Sequence, residues 1–555
     1  MRKLSGFLIA GVFMHCACSK KESNDPPPAP KSPAVNSITI NAISFNSTVN
    51  NINVQPGIRI KFTQPLMQST IASAVTLKDA GNISVPFTAI LQNTDSVLVI
   101  QPSSPLNYLS KYNLSVSTSL KSASDGNLPV KIDRSFITTI DSSRKFPVIS
   151  DDALLTKVQQ QTFKYFWDLA HPVSGMARER NTDANIYTSG GTGFGIMAIV
   201  SAIHRNFITR AEGLTRLQAM VSFLKNTAET FHGAYPHWLN GETGKVIPFS
   251  ANDNGADLVE TSYLVQGLLT ARQYFTGADA AETNLRNDIN TIADRVEWDW
   301  FRKNNENALY WHWTPGNANG WIMNLQVKGW NESLITYVLA ASSSTHSIPK
   351  IVYDNGWASN GTMKNGNTYY GYQLPLGPDR GGPLFFAHYS FLGINPEGLA
   401  DMYANYAIQT KNHALINYSY CKANPQNYFG YSDSVWGLTA SDIENGYNAS
   451  SPTNDLGFIA PTAALSSFPY TPLESMKALK FYYYVLGNKI WKDYGFVDAF
   501  SLHNPWFANS YLAIDQGPII VMIENYRSGL LWNLFMSCPE IKTGMPGLGF
   551  TSPNL

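Results

Sequence analysis

Two hydrophobic periodicities divide the chain. From about Ile38 to Ile140, short β-rich runs (ITINAISF, GIRIKFT, AVTLKD, SVLVIQP, KYNLSVS, RSFITTI) recur between clusters of Asn, Gly, Pro and Ser. A recurrence of roughly ten to twenty residues predicts an all-β sandwich of immunoglobulin type, here assigned to residues 38–142. After Ser142 the period changes. The run DDALLTKVQQQTFKYFWDLA sets Leu154, Leu155, Val158, Thr162, Tyr165, Phe166 and Leu169 at helical spacing, with Asp151 or Asp152 able to cap it. Similar runs follow as far as GPIIVMIENYRSGLLWNLF, joined by irregular loops rich in Gly, Asn, Trp and Pro. Ten or more such helices without an alternating strand pattern predict one all-α domain over residues 148–550. No self-similar period marks a solenoid, so the economical architecture is a toroid of paired helices, an (α/α)6 barrel. In a toroid the inner-helix N-termini and their loops converge on one mouth, where ligand sites collect.

The N-terminus adds an address. Residues 1–18, MRKLSGFLIAGVFMHCAC, place Arg2 and Lys3 before an apolar run from Phe7 to Phe13. That run is far below the roughly 20 residues of a spanning helix, so it predicts a signal peptide. The cysteines resemble a lipoprotein cleavage site, with Cys18 the better lipid acceptor because Ala17 precedes it; cleavage after Ala17 in an ordinary secreted protein is the alternative. Residues 19–37 are polar and proline-rich and read as a linker. The expected location is therefore the outer membrane, on its periplasmic or cell-surface face, with contact to lipid through the anchor only.

Composition narrows the ligand. Lys plus Arg and Asp plus Glu both number 40, so net charge gives no preference for nucleic acid or anionic lipid. Charged residues make up only 14% and aromatics 12%, a balance that suits a neutral, hydroxyl-rich ligand as well as a large helical core. Beyond the leader only Cys421 and Cys538 remain, too few for a disulfide framework. HExxH, CxxC, Walker-type and GxSxG motifs are absent, and GTGFG (Gly191 to Gly195) is expected to follow no strand. Neither a cofactor nor a metal is expected, and the protein is expected to act as a monomer.

Four segments combine carboxylates with aromatic residues. SGMARERNTDAN carries Arg178, Glu179, Arg180 and Asp183, which a surface ion-pair cluster would equally explain. FSANDNGADLVETSYLVQG sets Asp253, Asp257 and Glu260 beside Tyr235 and Trp238. Asp257 and Glu260 stand three apart at a helix start, close to a capping box, yet crowding and burial there would raise a carboxyl pKa as a general acid requires. The third segment, YWHWTPGNANGWIMNLQVKGWNESLI, has Trp330 and Glu332 among many indoles that could serve as sugar platforms, with Asn331 and Glu332 opening a helix. In WGLTASDIENGY, Trp436 offers a stacking face and Asp442 a carboxylate, Ser441 and Glu444 fit a helix cap, and Asp455 follows. A later stretch holds Asp498, His503, Trp506, Asp515, Gln516, Glu524 and Arg527, some of which are expected to close the ring structurally.

The motifs SGMARER, TGFGI, DLVETSYLVQG, GWNESLI, FAHYSFLG, VWGLTASD, IAPTAALSSFP and YGFVDAF with LAIDQGPIIVMIENYRSG occur in this order over about Asp151 to Pro539. Together they resemble the bacterial glycoamylase-like domain of glycoside hydrolase family 144, the β-1,2-glucan-degrading enzymes. The resemblance implies an (α/α)6 fold and an inverting reaction, with Glu260 as general acid and Asp442 as general base, the latter acting directly or through a substrate hydroxyl. It further implies that Arg178, Glu179, Arg180, Asp183, Trp330, Glu332, His388 and Trp436 line subsites; Trp238, Asp257, Glu444 and Asp455 join them on sequence position. The expected activity is cleavage of β-1,2-glucan to sophorose or short sophorooligosaccharides. A glycosidase for another glucan or a heteropolysaccharide, a non-catalytic carbohydrate-binding surface lipoprotein, and a lyase are the alternatives, the lyase disfavoured by the chain's neutrality.

Overall fold

The computed structural model describes residues 29–316 and 319–555, so the leader and the Cys18 lipidation site lie outside the described residues. The chain divides into two compact units, one formed by residues up to Asn107 with Tyr112–Phe136, the other by Tyr108–Lys111 with Ile137–Leu555.

The first unit is a β-sandwich. Its strands are β1 (Val35–Ile40), β2 (Ile43–Ser44), β3 (Val49–Ile52), β4 (Ile58–Phe62), β5 (Val75–Asp79), β6 (Phe87–Gln92), β7 (Val97–Pro102), β8 (Lys111–Val116) and β9 (Ile132–Thr138). One sheet has the order β2-β1-β4-β7-β6 and the other β3-β9-β8-β5. Strand β4 shows why the pattern was readable: Ile58, Ile60 and Phe62 are buried while Arg59 and Lys61 face water. β1 begins at Val35, inside the stretch expected as linker.

The second unit is helical. Its principal helices are α1 (Asp151–Asp168), α2 (Ser189–His204), α3 (Arg210–Asn226), α4 (Leu258–Tyr274), α5 (Ala280–Asp294), α6 (Leu334–Ser342), α7 (Tyr406–Ala423), α8 (Pro461–Leu465), α9 (Pro472–Tyr484), α10 (Ala513–Ser528) and α11 (Pro539–Leu548). Two kinds of helix alternate. From α2, α4 and α6 to α8 and α10, alternate helices are buried over nearly all of their surface, whereas α3 and α5 bury one stripe each. α2 packs on α4 and α10, α4 on α6, and α8 on α10. The α2–α4 approach depends on glycine: a Cβ on Gly193 would stand 2.1 Å from the Tyr263 carbonyl oxygen, and one on Gly267 2.2 Å from the Gly193 oxygen. The glycine-rich GTGFG run therefore serves helix packing, although it does follow a short strand, contrary to expectation.

A buried ion pair holds α10 to α2. Glu524, wholly buried, accepts from Arg205 Nε at 2.7 Å and Nη2 at 2.8 Å, and from Gln159 of α1 at 3.0 Å. Cys421 and Cys538 are buried free thiols. Among the described residues no helix is long and apolar enough to cross a membrane.

Candidate active site

Glu260 lies in the first turn of α4, at the end of a short strand β13 (Ala256–Asp257) that pairs with β14 (His312–Trp313). A true capping box would need Glu260 to reach back to the Asp257 amide. Only half of that box forms. Asp257 Oδ1 accepts from Val259 N (3.0 Å) and Glu260 N (2.9 Å), but the Glu260 carboxyl turns away toward the start of α2. There its Oε2 accepts from Gly190 N at 2.9 Å and Thr188 Oγ1 at 3.2 Å. Gly190 is required for this contact, since a Cβ there would lie 2.3 Å from Oε2. Burial pushes Glu260 up to about 7, with nearby Asp257 adding to the push and His237 opposing it.

His237 stands beside this carboxyl on the loop leading into β11 (Trp238–Asn240), which pairs with β10 (Ile186–Thr188) and β12 (Val246–Ile247). Its Nδ1 contacts Asp257 Oδ2 at 3.2 Å. Burial pulls the imidazole down, but Glu260, Asp257 and Asp253 outweigh it and raise it to about 9, so His237 is an imidazolium at neutral pH. His312 Nε2 lies 3.6 Å from both Asp253 and Asp257. The donor atoms of His237, Asp253 and Asp257 fall within 4.8 Å of one another, a spacing that a metal ion could occupy. Asp257, however, spends one oxygen on the helix cap and the other on His237, and the imidazolium already supplies a cation.

Opposite charges organise the other side. Asp442 sits in a β-hairpin formed by β15 (Ala440–Ile443) and β16 (Gly446–Ala449), directly across from Tyr447. The hairpin replaces the helix start expected here, because the two-residue Glu444–Asn445 turn ending in Gly446 reverses the chain before a helix can nucleate. Asp442 Oδ2 lies 3.2 Å from Arg180 Nη1 and accepts the Ser510 hydroxyl, while the Asp442 amide donates to Asp498 Oδ2 at 2.7 Å. Arg180 Nε also meets Glu179 Oε2 at 2.9 Å. The SGMARER loop carrying both is fastened by Tyr165, whose hydroxyl donates to the Arg178 carbonyl, by Ala513 N donating to the Glu179 carbonyl, and by bridges from Arg178 to Tyr187 and from Arg180 to Leu512. It is more than a surface ion cluster: three quarters of the Arg180 side chain is buried.

The two sides meet in one electrostatic neighbourhood. Glu179 is raised by burial and lowered by Arg180, and it also feels His237. A continuous series therefore runs Glu260, His237, Glu179, Arg180, Asp442. Tyr263 feels Glu332, Glu260 and Asp257, Tyr389 feels Asp515 and Glu332, and Tyr447 feels Asp515, Asp498 and Asp442. Glu332 belongs to this space, pushed up to about 7 by burial and by Glu260 and Asp257; it precedes the Ser333 cap of α6, and Asn331 takes the local capping bonds. Several polar atoms around the space are buried without a hydrogen-bond partner among the described residues, including Arg178 Nε, Trp238 Nε1 and Tyr263 Oη. Orphaned groups of this kind mark a place where a hydroxyl-rich ligand or water completes the bonding.

Other expected subsite residues lie elsewhere. Trp436 is fully buried, its Nε1 donating to the Glu474 carbonyl, so it has no free face for a sugar. Trp330 is packed among Trp357, Phe391 and Tyr406. His388 is buried against Ser467 and pushed down to about 3 by burial, hence a neutral core imidazole. Asp455 secures its own loop through Tyr431 and Gly457, and Glu444 is exposed on the hairpin turn. Asp183 stays 38% exposed, 4.0 Å from Arg180. The aromatic surface available to a ring is instead Trp238 with Phe249, centroids 4.7 Å apart, where Phe249 is half-exposed. His237, Thr188, Gly190 and Ser510 were not among the sequence candidates, since nothing local distinguishes a residue whose partner lies tens of positions away.

The chain is similar to proteins of known type. A family model described as "Putative glucoamylase" matches residues 324–539, and one for a bacterial Ig-like domain matches residues 31–138. An exo β-1,2-glucooligosaccharide sophorohydrolase (non-reducing end) of Parabacteroides distasonis is 46% identical over 426 residues, covering 73% of this chain and 58% of that protein. The chain thus spans little more than half the length of this curated relative. The crystal structure of an endo-β-1,2-glucanase from Chitinophaga pinensis, in complex with sophorotriose and glucose, is 52% identical with a TM-score of 0.71, covering 74% of this chain and all of that one. A β-1,2-glucanase structure from Parabacteroides distasonis covers 94% of this chain and 73% of its own at 37% identity and a TM-score of 0.70. The chain belongs to the glycoamylase-like β-1,2-glucanase family, glycoside hydrolase family 144, with a bacterial Ig-like domain ahead of the helical one.

Proposed function

We propose that the protein hydrolyses β-1,2-linked glucan to sophorose or short sophorooligosaccharides by an inverting acid/base reaction. The observation that carries the reading is the pairing of Glu260, raised to about 7 by burial, with an Arg180-bound Asp442, the two linked through His237 and Glu179. Both hydrogen bonds to Glu260 fall on Oε2, leaving Oε1 to hold the proton delivered to the glycosidic oxygen. Asp442 takes a proton from the attacking water, directly or through a substrate hydroxyl. An inverting pair stands roughly 6.5–9.5 Å apart to admit that water. Arg180 orients Asp442, and Trp238 with Phe249 offers the stacking surface. We read the helical unit as an (α/α)6 toroid, supported by the succession of α4 on α6, α2 on α4, α10 on α2 and α8 on α10. The named activities of the relatives support the linkage. Export and lipidation at Cys18, and action as a monomer, complete the reading.

The test is the product profile on linear β-1,2-glucan, with other linkages as controls. Release of sophorose or its short homologues is expected, and Glu260→Gln should abolish it; binding without turnover, or turnover of another linkage alone, would overturn the reading. One observation favours a second assignment: Glu332 is also held near 7, and no neighbouring side chain bonds its carboxyl. An aryl glucoside with a good leaving group needs no general acid. Recovery of turnover on it by Glu260→Gln supports Glu260, and recovery by Glu332→Gln instead transfers the role.

A further inference from the structure

Behind Asp442 lies a second pair of carboxyls that the reaction as described does not use. Asp498 and Asp515 are 2% and 1% exposed. Asp498 occupies the loop after Val497; Asp515 lies in the first turn of α10, where the helix N-terminus favours negative charge. Their side chains are within hydrogen-bonding contact of each other. Asp498 Oδ1 and Asp515 Oδ2 find no other donor among the described residues. Two buried carboxylate oxygens in contact cannot both stay bare: repulsion and lost solvation are relieved by one proton between them. The remaining oxygen of Asp498, Oδ2, accepts the Asp442 amide at 2.7 Å, and the Asp498 amide donates to the carbonyl of Ser510, whose hydroxyl in turn donates to Asp442.

We propose that Asp498 is a positioning residue for Asp442, bracing both its backbone and its carboxylate through Ser510, and that it does so with a single proton shared with Asp515. The inference rests on Asp442 being the general base. The pair then presents one negative charge to the site. The groups facing it are Asp442 on the hairpin, Glu179 and Arg180 on the SGMARER loop, Tyr447 on β16, Tyr389, and Tyr165 on α1. Burial raises both carboxyls, Asp498 to about 7 and Asp515 well above the ordinary carboxylate range, consistent with a retained proton.

A shared proton makes an unusual demand on mutants. Asp498→Asn supplies its own amide hydrogens to Asp515 while its oxygen still accepts the Asp442 amide, so pattern and net charge both survive. Activity within about threefold of wild type is expected. Asp498→Ala removes the brace, and kcat should fall roughly 10²-fold with KM little changed, the scale of a misplaced catalytic group. The double variant Asp498→Asn, Asp515→Asn removes the charge facing Asp442, so the acidic limb of the kcat/KM profile should move down by about one pH unit. An Asp498→Asn as damaged as Asp498→Ala, or a double variant whose acidic limb stays in place, overturns the proposal. If Asp498→Ala does not fold, the two amide variants, which keep side-chain volume, decide alone. Asp442→Asn separates the two readings: retained activity sinks the base assignment and this inference with it. An inactive Asp442→Asn beside a failed amide rescue sinks only the inference.

Discussion

Glu260 and Asp442 are both carboxyls joined by one series of charged groups, yet the fold gives them opposite surroundings. Glu260 enters from a helix start, is buried, and is held by a backbone amide and a hydroxyl, with the His237 imidazole nearby. Asp442 comes on a hairpin strand and lies against the Arg180 guanidinium. The first environment raises its carboxyl to about 7, while the second sets a carboxyl against a guanidinium. The difference teaches that two side chains of nearly the same chemistry are set apart by what each element brings with it.

Removing either member should have the largest effect. Glu260→Gln keeps an oxygen for Gly190 and Thr188 and should lose about 10² to 10⁴ in kcat on β-1,2-glucan with its melting temperature at about pH 5 unchanged. Asp442→Asn should lose a similar factor. A Glu260→Gln variant that melts early but turns over would reduce Glu260 to a structural role and dissolve the contrast.

The next effect is a shift of the pH profile. His237 opposes the burial that raises Glu260. Replacing it by Gln removes a positive charge, so the acid keeps its proton to higher pH. The basic limb of the rate profile, expected near 7 in the wild type, should move up by about one unit. A downward movement would mean that the limb reports another group, with Glu332 the first to test.

The same groups couple stability to pH. Glu260, Glu332 and Asp498 are each raised to about 7, above their unfolded values, so what they contribute is fully present below about pH 4 and lost as pH rises through 7. His237, raised to about 9, contributes below about pH 6.5 and loses that contribution through 9. Both act in one direction. Calorimetry should find a lower melting temperature at about pH 8 than at about pH 5, and Glu260→Gln should narrow the gap.

The sequence was legible where a period or a local motif carried the information. β4 alternates cleanly, and the Asp257 cap was readable from its position before an apolar run. The hairpin around Asp442 was not, because Ser441 and Glu444 stand at cap spacing and only the Asn445–Gly446 turn argued for reversal. Trp436 misled for a related reason. An indole beside a carboxylate looks like a platform, but whether its face is free depends on Tyr482 and Glu474, some 40 residues on, which no local pattern shows. The partners that hold Glu260 and Asp442 come from separate parts of the chain, so the residues were legible and their environments were not.

The smallest effect is expected on the exposed end of the hairpin that carries Asp442. Glu444 lies two residues from Asp442 but on the turn, facing solvent, and none of the hydrogen bonds fastening Asp442 passes through it. Arg180, Ser510 and Asp498 approach Asp442 from the SGMARER loop and from residues 498–510, so shortening the turn side chain leaves the brace whole. Glu444→Ala should change stability by no more than about 0.5 kcal/mol and leave kcat/KM within a factor of about two. A loss near that of Asp442→Asn would show that the turn touches substrate. Asp442 would then owe its placement to the chain it binds as well as to Arg180, and the contrast with Glu260 would hold only in the complex.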